Sequence, residues 1–244
     1  MKVTVYETKG KMAAAAACRA AKAIKSSIAS KGRANIILAT GTSQLEMLNS
    51  LTRFNDINWS LVTMFHLDEY IGLDVSHQAS FRKYLSEHFI ERVGELKAFH
   101  LINGDTDDPQ AECDRVGKLI EKNPIDVACA GIGENGHLAF NDPPTNFEIE
   151  IPYLIVNLDK KCREQQMGEG WFSSLDEVPR QAISMSIRQI MKSKVIIVTV
   201  PDERKADAVR NTLKEKISPE FPASILRSHP NCRLYIDKAA ASQL

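Results

Sequence analysis

The sequence predicts an α/β fold: an open, largely parallel, Rossmann-like sheet with helices on both faces, in a single domain. Three observations predict it. Runs such as "NIILAT" and "VIIVTV" are apolar on both faces, as strands are when helices cover a parallel sheet. Short apolar runs alternate with helical patterns along the chain. The 244 residues contain no internal repeat, low-complexity stretch or linker that would divide them.

The elements follow in order. The opening "MKVTVYETKG" reads as a strand at 3–6, not as a signal peptide. A helix at 11–31 comes next, too rich in lysine to span a bilayer, with Gly32 as its C-cap. A strand at 35–40, a helix at 43–53, a strand at 61–67 and a helix at 77–91 continue the alternation. Asp108 and Pro109 supply the N-cap and N1 proline of a helix at 109–122. Strands are expected at 125–130, 153–158, 182–186, 194–200 and 234–236, with helices at 187–192 and 203–216.

Composition narrows the function classes. Lys+Arg and Asp+Glu both number 31, so no excess charge marks a nucleic-acid or membrane partner. Phosphate can still be bound locally by a loop and a few cations. The five cysteines are scattered, without a CxxC pair or a His at metal-ligand spacing. They read as buried thiols in a reducing cytoplasm, and neither a metal site nor a cofactor is expected. P-loop, GxSxG and HExxH motifs are all missing, which removes the usual support for P-loop nucleotide, serine-hydrolase and zinc-protease chemistry.

In an open parallel sheet, ligands sit beyond the carboxyl ends of the strands. That rule selects four loops. "TGTSQ" offers Thr40, Gly41, Thr42 and Ser43 as a phosphate cradle, although Ser43 alone could be an N-cap. "DEYIGLD" places Asp68 and Glu69 just after a strand; on extended backbone their side chains point oppositely, so one can be a base and the other a supporting acid. "GIGENGHLAFNDPP" frames His137 with glycines, where Gly131 and Gly133 let backbone approach a ligand and Asn135-Gly136 forms a positive-φ corner. Asn141 and Asp142 follow within reach, and a carboxylate beside an imidazole fixes its tautomer and raises its basicity. "PDERK" puts Arg204 and Lys205 on the first turn of a helix, where a bound anion would relieve their conflict with the helix dipole.

The motifs "FHLDEYIGL", "LINGDTDDPQAEC" and "GIGENGHLAFNDPP", in this order, resemble the glucosamine-6-phosphate deaminase/isomerase family, of the superfamily shared with 6-phosphogluconolactonases. The resemblance implies conversion of an amino-sugar 6-phosphate to a ketose 6-phosphate and ammonia, without metal or cofactor. It implies Asp68 as the base moving a proton between C2 and C1, and His137 as the ring-opening group with Asn135 and Asp142 supporting it. Thr40, Gly41, Thr42 and Ser43 resemble the phosphate loop and Lys205 the phosphate-binding lysine, with Glu69 and Gly133 beside the substrate. The partner implied is a small sugar phosphate, with homo-oligomerisation left open.

Several positions depart from the family pattern. Asp142 stands where a Glu is common, one methylene shorter, so that a water could intervene before His137. Gly170 stands near the place of a phosphate-binding arginine, leaving Arg163 as the candidate substitute. "PPTNFEIEIPYLIV" lacks the basic residues of the allosteric site of some hexameric members, so no such allostery is expected. Glucosamine 6-phosphate is the default substrate and galactosamine 6-phosphate the open alternative. A lactonase-type hydrolase and a non-catalytic sugar-phosphate sensor are the competing readings.

Overall fold

The alternation becomes ten strands and seven α-helices in the computed structural model, which describes residues 1–244. The first half contains β1 (Lys2–Tyr6), α1 (Lys9–Lys31), β2 (Ala34–Leu38), α2 (Leu45–Leu51), β3 (Val62–His66), β4 (Asp68–Tyr70) and α3 (Phe81–His88). Then come β5 (Ala98–His100), α4 (Pro109–Glu121), β6 (Val127–Ala130), β7 (Tyr153–Asn157), α5 (Lys160–Gly168) and β8 (Gln181–Met185). The chain ends with α6 (Ile187–Met191), β9 (Val195–Val200), α7 (Ala206–Lys214) and β10 (Cys232–Asp237).

Seven strands form one sheet in the order β1-β10-β9-β6-β2-β3-β5. Every neighbouring pair is parallel. The all-apolar runs predicted this: Ile36 and Leu38 pack under α1 and α2, while Ile37 points to the opposite layer with α4 and α7. α1 lies close on the sheet because its buried stripe is mostly alanine, including Ala13, Ala16, Ala17 and Ala20. Thr8 caps its start by accepting from the Lys11 N–H, and Gly32 ends it at φ 70°. Asp108 likewise caps α4, with Pro109 in its first turn. No helix is long and apolar enough to cross a membrane.

Four features differ from the sequence expectation, the first being β5, a strand at 98–100 that the sequence reading did not mark. β7 and β8 leave the main sheet and join β4 in a second, antiparallel sheet of order β4-β8-β7. "DEY" is therefore a short strand and not a loop. The helix expected at 77–91 spans only α3, because Ser80 caps it and 77–80 turn first. α5 escaped the sequence reading: "KKCREQQMG" shows no apolar stripe, yet Asp159 caps it by accepting from the Cys162 N–H at 2.5 Å.

The strand order places the site. After β2, β3 and β5 fill one side, the chain returns to β6 on the other side of β2. The crevice between β2 and β6 is thus the topological switch point, where open α/β sheets bind ligands. The carboxyl ends of β9, β6, β2 and β3 stand side by side there, and with them the four selected loops.

Candidate active site

A cleft opens at this crevice, where open α/β sheets bind small ligands. Asp68, His137, Lys205, Thr40, Gly41 and Ser43 all line it. Asp68 opens β4 opposite Ser184 of β8, only 7% exposed. Burial, and secondarily the neighbouring Glu69 charge, raise its pKa well above the usual carboxylate value.

Glu69 faces the other way, as strand geometry requires, and is fully buried. Its Oε2 accepts from the Ser80 hydroxyl at 2.9 Å and the Arg82 N–H at 2.8 Å, and its Oε1 from the N–H groups of Tyr70 and Phe81. The Arg82 guanidinium lies 3.5 Å away. Glu69 therefore closes the start of α3 and does not reach the cleft, correcting its assignment beside the substrate.

His137 is held from behind. Its Nδ1 lies 3.1 Å from Asp142 Oδ1, a direct contact in spite of the short side chain. Asn135 donates to the same carboxylate oxygen at 2.9 Å, and the Asp159 N–H donates to the other at 3.0 Å. Burial pushes the Asp142 pKa up, but the His137 hydrogen bond and charge, Asn135 and the Asp159 amide outweigh it and the net value is lowered. An ionised carboxylate can only accept, so Nδ1 carries the hydrogen of this contact. The Asn135 Oδ1 accepts from the His137 N–H at 3.1 Å, and Gly136 takes φ 87° at the expected corner.

Gly133 lines the cleft, as its sequence context suggests, and has a packing role as well. A Cβ there would lie 2.2 Å from two atoms of the His137 ring, so the glycine makes room for the imidazole. At Gly131 the space is taken by Gln44, whose amide Nε2 donates to Ser43 Oγ at 3.1 Å. Gln44 also exchanges hydrogen bonds with Thr199 and so ties the hydroxyl loop to β9.

Lys205 is 5% exposed and forms none of the chain's ion pairs. Desolvation lowers its pKa, against the opposing charges of Glu169 and Glu134. A buried ammonium lining a cleft without a paired carboxylate is a ready site for an anion. Arg204 turns outward to Glu134 at 3.5 Å. Thr42 does not itself line the cleft, but its hydroxyl donates at 3.2 Å to Glu169, which does. Arg163 does not replace the missing arginine: its guanidinium donates to the carbonyls of Leu175 and Val178 and lies outside the cleft.

Sequence reasoning missed the wall supplied by α5 and its end, Gln165, Gln166 and Glu169. Gln165 accepts from the Glu134 N–H at 2.9 Å and donates to Glu169 at 2.9 Å; Gln166 accepts from the Tyr70 hydroxyl at 2.9 Å. The capping Asp159 was the available signal for this helix. His137, Asp142 and Cys162 place potential metal-donor atoms within 4.8 Å of one another. Both Asp142 oxygens already accept hydrogen bonds, and burial drives the Cys162 thiol far above its usual range, so this donor set fits a hydrogen-bonded support better than a resident metal.

A parallel sheet with acid, imidazole and ammonium gathered at its switch point defines an α/β enzyme for a small anionic substrate. The chain belongs to the glucosamine-6-phosphate isomerase/6-phosphogluconolactonase family, whose model matches residues 7–234. It is 33% identical, over the full length of both chains, to a glucosamine-6-phosphate deaminase of Lactobacillus delbrueckii subsp. bulgaricus. To the deaminase of Clostridium acetobutylicum it is 38% identical, over 92% of this chain and 94% of that one. A solved monomeric glucosamine-6-phosphate deaminase superposes with a TM-score of 0.91 at 32% identity, covering all of both chains. A 6-phosphogluconolactonase from Shewanella baltica shares the fold, with a TM-score of 0.80 at 17% identity over 97% of each chain.

Proposed function

We propose that this chain converts glucosamine 6-phosphate and water into fructose 6-phosphate and ammonia. The observation that carries the reading is the meeting of Asp68 and the Asp142-supported His137 in one cleft with the hydroxyl loop and Lys205. The deaminases at 33% and 38% identity support this chemistry over lactone hydrolysis.

In this reading, Thr40, Gly41, Ser43 and Lys205 hold the phosphate, whose binding energy positions the reacting end of the sugar. His137 Nε2 takes the O1 proton and returns one to the ring oxygen, opening the pyranose. Asp68 then takes the C2 proton and delivers it to C1. Water adds at C2 and the nitrogen leaves as ammonia, so atoms balance. A carboxylate with a raised pKa suits this step, because the base must also give the proton back. All these groups come from one chain, and a monomer, as described for the solved relative, is the assembly this favours.

Ammonia and fructose 6-phosphate should form from glucosamine 6-phosphate faster than from galactosamine 6-phosphate, and production should collapse in Asp68→Asn. Hydrolysis of 6-phosphogluconolactone with no ammonia from either sugar would move the chain to the hydrolase reading.

A further inference from the structure

The cleft contains an acid that the proposed chemistry does not use. Glu169 follows α5 directly, lines the cleft and reaches the phosphate loop itself. Its Oε2 accepts from the Thr42 hydroxyl at 3.2 Å and from Trp171 Nε1 at 3.4 Å, and its Oε1 from Gln165 Nε2 at 2.9 Å. A Cβ on Gly41 would stand 3.8 Å from Oε2, which places the carboxylate against the loop's glycine. Its charge acts on Lys205 and on Tyr84, whose hydroxyl donates to the Gly41 carbonyl.

A carboxylate seated on a threonine hydroxyl and an indole N–H, near a buried ammonium, occupies the position of an anionic ligand. Gly168 and Gly170 flank it; an added Cβ at either would meet nothing within 4 Å, and Gly170 takes φ 87°. The residue therefore sits between two unencumbered glycines in a segment with room to turn.

We propose that Glu169 is an internal ligand of the phosphate cradle, which an incoming phosphate displaces, and that it sets the affinity for the phosphate end of the substrate. This deepens the sugar-phosphate reading and rests on it. Two like charges cannot share a partly desolvated cradle with a single ammonium without a large loss of affinity. Glu169 is thus a specificity-determining residue: it penalises dianionic ligands that cannot supply enough binding energy elsewhere to evict it.

The test is a titration of the wild-type protein with inorganic phosphate, followed by calorimetry and tryptophan emission. Trp171 loses its Glu169 partner on displacement, whereas the other tryptophan, Trp59, packs on Phe89. Emission should change saturably with phosphate and not with chloride. In Glu169→Gln the Kd for phosphate, and the KM for glucosamine 6-phosphate, should fall about tenfold, roughly 1.4 kcal/mol. Glu169→Asp should bind phosphate with intermediate affinity, since its shorter arm keeps the charge but withdraws from Thr42.

Equal or weaker phosphate binding in Glu169→Gln overturns the proposal, because it makes Glu169 a prop of the loop. A wild type that binds phosphate with no change in Trp171 emission overturns it too, as does failure of both proteins to bind phosphate. The titration needs no turnover. Tighter phosphate binding in Glu169→Gln, with no ammonia from either amino sugar, would uphold the displacement and reject the deaminase reading.

Discussion

Asp68 carries opposite consequences for activity and stability. Burial raises its pKa above the value in the unfolded chain, so the unfolded state releases this proton first as pH rises. Its contribution to stability is therefore fully present below the unfolded carboxylate's pKa, about 4, and is lost as pH climbs through the folded value. Asp68→Asn removes that penalty. We expect its melting temperature at pH 7 to exceed the wild type's, while ammonia release falls about 100- to 10,000-fold. In the wild type, kcat/KM should rise with pH on a limb set by Asp68, above the ordinary carboxylate range. An acid limb at about pH 4 would show that Asp68 ionises like an exposed acid and is not the base. Asp142 works in the opposite sense, because its net pKa is lowered. Its stabilising contribution is present above about pH 4 and is lost as pH falls through its folded value. Asp142→Asn should lower kcat about 10- to 100-fold with a smaller effect on KM, because it disturbs the orientation of His137 and not the phosphate end.

At the scale of the elements, the site depends on where β4 and the glycine loops sit. Gly104 shows how tightly β4 is held: a Cβ there would stand 2.0 Å from the Tyr70 carbonyl oxygen and 2.8 Å from Glu69 Cγ. Gly104→Ala must push β4 aside, which should destabilise the fold by about 1–3 kcal/mol in urea titrations and weaken turnover by moving Asp68. Gly133→Ala should act differently. The atoms its Cβ would meet first all belong to the imidazole, so turnover should drop sharply while phosphate binding persists. Equal losses of both would show that the loop collapses as a whole. These elements also mark the limit of sequence reading. β2, β6 and β9 were legible because burial on both faces leaves apolar residues on both faces of the strand. β4 was not: three residues, two of them acidic, owe their strand geometry to pairing with the distant β8. α5 was hidden because its buried glutamines face a polar cleft, so that its inner side carries no hydrophobic signature.

Across the whole molecule, the proposed anion site can exist only when the chain is folded. Thr40 to Ser43 follow β2, Lys205 follows β9 and Glu169 follows α5, segments far apart in sequence and joined by the sheet order. The convergence of the four loops was legible because parallel strands all deliver their carboxyl ends to one edge. The partner of each residue was not, since Glu69 and Arg163 spend their hydrogen bonds on groups that no local pattern reveals. A ligand that binds this composite site and not the unfolded chain must raise the unfolding temperature. At a phosphate concentration 100 times its Kd the gain is about 2.7 kcal/mol, which for a chain of this size means roughly 5–10 °C. Lys205→Ala should abolish the shift if, as proposed, its buried ammonium compensates the phosphate charge. Differential scanning fluorimetry with phosphate against equal ionic strength of chloride measures it. A shift that survives in Lys205→Ala, or that chloride reproduces, would mean that phosphate acts as a general stabilising salt and that the cleft does not recognise it.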